Sequence, residues 1–143
     1  MKKFIPVLVS VLLFWSCTKK GSFPNSPQIT LESVSSYQLH PADSLVILLG
    51  FKDGQADVLD SVFFRENLTT RYSGFLSKSI PSFPAKNDEQ GDIVLTLNYL
   101  SDIGQPINPN GDPDTSAFSL YIKDMKGQFS DTVETPPIVI YPN

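Results

Sequence analysis

Gly91–Leu100 reads GDIVLTLNYL. Ile93, Leu95, Leu97 and Tyr99 fall on one side of an extended chain, and Thr96 and Asn98 on the other. A period of two is the signature of a strand with one face in a core and one in water. Moving outward, the same pattern recurs. Ile29 and Leu31 alternate with Thr30 and Glu32. Ser44–Phe51 (SLVILLGF) sets Leu45, Ile47, Leu49 and Phe51 on one face. Asp60–Arg65 (DSVFFR), Ser116–Asp124 (SAFSLYIKD) and Val133–Tyr141 (VETPPIVIY) complete the set, with Phe118, Leu120 and Ile122 together in the second of these. No convincing helical period appears after Gln28.

Turn signals separate these runs: Asp53-Gly54, Asn110-Gly111 and Lys126-Gly127. Twelve prolines suit loops and edge strands and would break helices. Pro136 and Pro137 place the start of the last strand at an edge. Thr69–Gln90 resists a strand reading; Phe75, Ile80 and Phe83 there read as an irregular segment crossing the core. Six or seven short strands predict an all-β, antiparallel sandwich over residues 28–143.

The first residues have another character. Lys2 and Lys3 precede an apolar run, Phe4–Trp15, that is too short for the roughly 20 residues a membrane-spanning helix needs. It fits the core of a secretory signal. Ser16 then precedes Cys17, the one cysteine in 143 residues. This arrangement resembles a bacterial lipoprotein signal, residues 1–16. The resemblance implies cleavage before Cys17 and acylation of its sulfur, and two or more acyl chains hold a bilayer stably. A cleavage site elsewhere, or a short buried helix, is the other reading. Residues 17–27 (CTKKGSFPNSP) read as a tether. With Cys17 acylated, no disulfide is available, so the domain must hold together by its core.

Removing Lys2 and Lys3 leaves nine basic and 15 acidic residues, a net charge of −6. A mildly acidic surface argues against nucleic acid as partner.

Two stretches then resemble the small Ig-like domains of Bacteroidota-type outer-membrane lipoproteins. Ile122–Ile140 resembles their C-terminal hairpin through Asp124, Gly127, Ser130, Thr132, Thr135 and Pro136, with Gln128 replacing the usual Asn. Asp43–Val62 resembles their strand and Asp-Gly-rich loop through Phe51, Asp53, Gly54 and Asp57, with Gln55 and Ala56 replacing an Asp and a Gly. The resemblance implies an Ig-like sandwich lipid-anchored to the outer membrane, with no known reaction. Lys19 and Lys20, where surface-exported members carry acids, point to the periplasmic face.

Candidate sites follow. Asp53, Asp57 and Asp60, with Asp124 approaching from the hairpin, are carboxylates that a calcium ion would use. The alternative is a polar turn in which Asp53 caps its own backbone. Asn108, Asn110, Asp112 and Asp114 are spaced like the start of a calcium loop, but the twelfth position is Ser119 rather than Glu. No cofactor is expected, calcium being the one to test. His40, Asp43 and Ser44 neighbour one another without the surroundings of a catalytic serine, and the chain is read as not an enzyme. Three Asp-Ser/Thr-aliphatic triplets resemble O-glycosylation acceptors of Bacteroidota-type envelope proteins, implicating Ser44, Ser61 and Thr132; turn-to-strand junctions read the same way. If exposed together, Tyr72, Phe75 and Phe83 would stack on a glycan or dock an envelope protein; plugging an end of the sandwich is the other reading. The expected role is noncatalytic binding, the alternative a calcium-stabilised spacer.

Overall fold

The alternation at Gly91–Leu100 falls on a strand from Glu89 to Asn98, with Tyr99 and Leu100 in the turn that follows, and the core forms around it. A computed structural model describes residues 23–55, 59–67, 74–81, 84, 86–104 and 110–143. Cys17, Asp57, Tyr72, Phe83 and Asn108 lie outside the described residues. The strands are β1 (Gln28–Val34), β2 (Gln38–Leu39), β3 (Ser44–Asp53), β4 (Leu59–Glu66), β5 (Leu76–Ser79), β6 (Glu89–Asn98), β7 (Asp114–Ser116), β8 (Phe118–Asp124), β9 (Val133–Glu134) and β10 (Ile138–Ile140). A π-helical turn, Tyr99–Ile103, follows β6. Among the described residues no helix is long and apolar enough to cross a membrane.

The result is an all-β, Ig-like sandwich. One sheet has the order β1-β3-β6 and another β5-β4-β8-β9, both antiparallel. Strands β3 and β6 pair without a break from Ser44↔Asn98 to Asp53↔Glu89. That register turns Leu45, Ile47 and Leu49 inward beside Leu97, Leu95 and Ile93, all buried. Val62 and Phe64 of β4 and Leu120 and Ile122 of β8 meet them from the other sheet. Fully burying such a side chain contributes about 1.5–3 kcal/mol, which is how a domain without disulfides stays folded.

Two runs that read as single strands are each broken. Ser116–Asp124 divides at Ala117, and Val133–Tyr141 divides at Thr135–Pro137. Strands β7 and β10 leave the four-stranded sheet and join β2 in a third sheet of order β2-β10-β7. There β10 runs antiparallel to β7 and parallel to β2. The prolines therefore fall between strands, where they lack the N–H a ladder requires. Buried Thr135 fastens the two crossings together. Its Oγ1 accepts the Phe118 N–H at 3.0 Å, and its own N–H donates to the Phe118 carbonyl at 3.0 Å.

The far reaches of the chain are also tied down. The Tyr99 hydroxyl, inside the fold, donates to the Tyr141 carbonyl at 2.6 Å. The segment read as irregular contains a regular strand, β5, paired to β4 from Ser61↔Ser79 to Phe64↔Leu76. Of the tether 17–27, residues 23–27 are described and lie along the domain, with Pro27 buried.

Candidate functional site

The outer face of the four-stranded sheet is built by the same alternation that builds the core. In β4, Val62 and Phe64 point inward, so Phe63 and Arg65 point out. In β8, Leu120 and Ile122 point inward, so Tyr121 and Lys123 point out. The register places Ser77, Phe63 and Tyr121 in one row across the sheet. Ser79, Ser61 and Lys123 form the next row, continued by the bridge from Lys123 to Phe129. Arg65, Ser119 and Glu134 form the third.

Aromatic rings join these rows. Phe63 stacks on Tyr121 with centroids 4.8 Å apart and planes 9° from parallel. Phe75 meets Tyr121 edge-on at 4.8 Å, and Phe129 meets it edge-on at 5.7 Å. The Arg65 guanidinium lies 4.8 Å from the Phe75 centroid. Phe129 is 55% exposed, so the cluster is open at that side. Offset and edge-on pairs add about 0.5–1.5 kcal/mol each beyond area, and hold the rings in place before any partner arrives. A polar corner adjoins them. Asn67 Nδ2 donates to Glu134 Oε1 at 3.0 Å, and Ser119 Oγ lies 2.8 Å from Asn67 Oδ1 and 3.1 Å from Glu134 Oε1. Phe75 is the described member of the expected trio and belongs to this cluster. Phe63, Tyr121, Phe129 and Arg65 were not expected in it. The signal was present: an aromatic between two inward residues in both VFF and LYI.

At the open side of the sandwich, a recess of about 570 Å³ lies between β5 and β6, floored by Phe51, Val62, Ile93 and Leu95. Lys78 reaches across it. Its ammonium donates to Asp102 Oδ2 at 2.7 Å and to the Thr96 carbonyl at 2.8 Å. Asp102 Oδ2 also accepts the Asn98 N–H at 2.8 Å. Burial works to raise the Asp102 pKa. The hydrogen bonds from Lys78 and Asn98, with the Lys78 charge, outweigh it and hold the carboxyl below its ordinary value.

The calcium candidates are placed as follows. Asp53 is buried, and its Oδ1 accepts the Gln55 N–H at 2.8 Å, as a self-capping turn requires. Asp60 is exposed beside Ser61. Asp124 is fully buried. Its Oδ1 accepts the Gln128 N–H at 2.7 Å and its Oδ2 accepts the Gln128 amide at 3.1 Å. The hairpin does approach the loop, since Lys126 donates to Gln55 Oε1. Among the described residues no group of three or more His, Cys, Asp or Glu is arranged to hold a metal. Asn110 and Asp112 are exposed, and Asp114 opens β7.

Of the remaining candidates, Ser44 opens β3, Ser61 lies inside β4, and His40 and Thr132 lie in connections between strands. The His40 ring stacks on Tyr141 at 4.4 Å, while Asp43 Oδ2 accepts the His40 backbone N–H at 2.8 Å. Ser44 is exposed, with its hydroxyl 2.9 Å from Asn98 Oδ1. Ser61 is half-buried and Thr132 exposed.

No family model matches the chain, and no curated protein matches it. Among solved structures it is similar to a Niemann-Pick type C2 protein from the Japanese carpenter ant, with a TM-score of 0.51 and 7% identity over 84% of this chain and 96% of that one. This likeness supports the sandwich fold. The sporulation control protein Spo0M from Bacillus subtilis matches with a TM-score of 0.48 and 9% identity over 82% of this chain. A beta-glucosidase from Listeria innocua matches with a TM-score of 0.46 and 12% identity over 80% of this chain. The chain spans 50% of the Spo0M chain and 16% of the glucosidase chain.

Proposed function

We propose that the chain is an envelope lipoprotein, anchored to the periplasmic face of a bacterial outer membrane by acylated Cys17, and that it acts as a noncatalytic binding module. The observation that carries the binding role is the aromatic cluster of Phe63, Phe75, Tyr121 and Phe129 on the outer sheet face. Outward positions of a half-solvated sheet are ordinarily polar. Here they carry pre-positioned rings flanked by Ser61, Ser77 and Ser79. Ring faces take the C–H faces of a sugar, and the flanking hydroxyls take its hydroxyls, so a glycan suits this surface. The spacer reading has less support, because both Asp124 oxygens are already bonded to Gln128.

The test is titration calorimetry of the lipidated protein against envelope glycan fragments, comparing wild type with Tyr121→Ala and Phe129→Ala. A lost ring stack of about 1 kcal/mol weakens binding roughly fivefold per variant. Equal affinity in all three proteins, or no glycan bound by wild type, overturns the reading.

A further inference from the structure

The chain enters the domain at one defined end. The Gly54 N–H donates to the Pro24 carbonyl at 2.8 Å, and the Phe23 N–H donates to Asp88 Oδ1 at 3.0 Å. The fit leaves no room for a side chain at position 54. A Cβ there would lie 2.4 Å from the Phe23 carbonyl oxygen and 2.7 Å from that of Pro24. Lys52 lies over the Phe23 ring at 5.8 Å. Next to this entry stands the tip of the β8–β9 connection. There Met125, Lys126 and Gly127 make a three-residue loop with Gly127 at φ 85°, a conformation glycine adopts without strain. Met125 is 71% exposed, the most exposed large apolar side chain among the described residues.

From these observations we infer that this end, with Gly54, the Asp88 turn and the Met125 tip, faces the bilayer and that Met125 rests at the headgroup surface. The inference builds on the lipid-anchor reading of Cys17. Six peptide steps separate Cys17 from Phe23, a reach of at most about 22 Å. Strand β3 alone, at ten residues, runs roughly 33 Å from this end to the other. The anchor therefore reaches the entry end but falls short of the far end, where His40, Asn110 and Asp112 sit. An upright domain leaves the outer face of the four-stranded sheet as a side wall, open to partners in the periplasm.

The test uses full-length lipidated protein in phosphatidylethanolamine–phosphatidylglycerol vesicles containing lipids with nitroxide headgroups. A fluorophore is attached at Met125→Cys or, at the far end, at Asp112→Cys. Both positions are exposed, so either label leaves the core intact. The expected result is quenching at least threefold stronger at position 125. Equal quenching at both positions, or stronger quenching at 112, overturns the orientation and leaves the anchor reading standing. Mass spectrometry showing a free Cys17 thiol, with protein that fails to float with vesicles, overturns both.

Discussion

Replacing Lys78 with Met keeps the apolar stem over the recess and removes the ammonium. Two interactions are lost together, the ion pair with Asp102 and the bond to the Thr96 carbonyl. The pair is partly solvated, with Lys78 35% and Asp102 16% exposed, so its Coulomb attraction is screened. Exposed pairs contribute about 0.2–1 kcal/mol, and a hydrogen bond about 1 kcal/mol. The expected loss is about 1–2 kcal/mol, or about 4–8 °C in Tm for a domain of this size. The pH dependence is the sharper readout. The Asp102 carboxyl is held below its ordinary value in the folded protein, whereas in the unfolded chain it titrates near about 3.9. Its stabilising contribution is therefore complete above that pH and is lost as pH falls through the lower, folded pKa. Lys78→Met removes a bond and a charge that hold the value down, while burial still pushes it up. The variant should lose less stability than wild type between about pH 4 and pH 2. Urea denaturation of wild type, Lys78→Met, Asp102→Asn and the double variant, repeated across that range, closes a double-mutant cycle. Additive single effects with parallel pH curves would show that the two side chains are neighbours without coupling.

Gly54→Ala should detach residues 23–24, because the new Cβ meets backbone oxygens that have no rotamer to escape by. Two hydrogen bonds of about 1 kcal/mol each are lost, so the amides of residues 23 and 54 should exchange with deuterium roughly 30-fold faster. Unchanged exchange there would mean the entry segment is not fixed by that contact. Thr135→Val should destabilise the domain by about 1–3 kcal/mol in urea, since it strands the buried Phe118 N–H, and Thr135→Ser should restore most of the loss. Equal stability of the Val variant would show that the crossing is held by packing alone.

The fold was legible in the long strands that stay in one sheet, and not in β5, which stays in one sheet but has only four residues. Leu45, Ile47, Leu49 and Phe51 are buried on one face of β3, and Ile93, Leu95 and Leu97 on one face of β6, as a period of two requires. At Pro136-Pro137 the inward positions step from Thr135 to Ile138, so the period slips by one and the break shows in the pattern. At Ala117 no slip occurs: Ser116, Phe118 and Leu120 are all buried, so the alternation runs on while the pairing partner changes. What decides the break is a tertiary bond from the Phe118 N–H to Thr135, seventeen residues along, and no local pattern carries it.

The same limit applies to the site, but in reverse. Phe75 stands out in the sequence because it falls in an irregular segment, whereas Phe63 and Tyr121 lie inside strands. Alternation already assigns both to the outer face, since Val62, Phe64, Leu120 and Ile122 take the inner one. An aromatic at an outward position does not serve the core it sits beside, so it asks for a partner on its own side of the sheet. Here Phe63 and Tyr121 first supply that partner to each other across the β4–β8 ladder. Phe75 and Phe129 then extend the pair into a surface that neither strand would present alone. Strand pairing, more than any single residue, makes this face a candidate for binding. A substitution that shifts the β4–β8 register by one residue would abolish it while leaving every aromatic in the sequence.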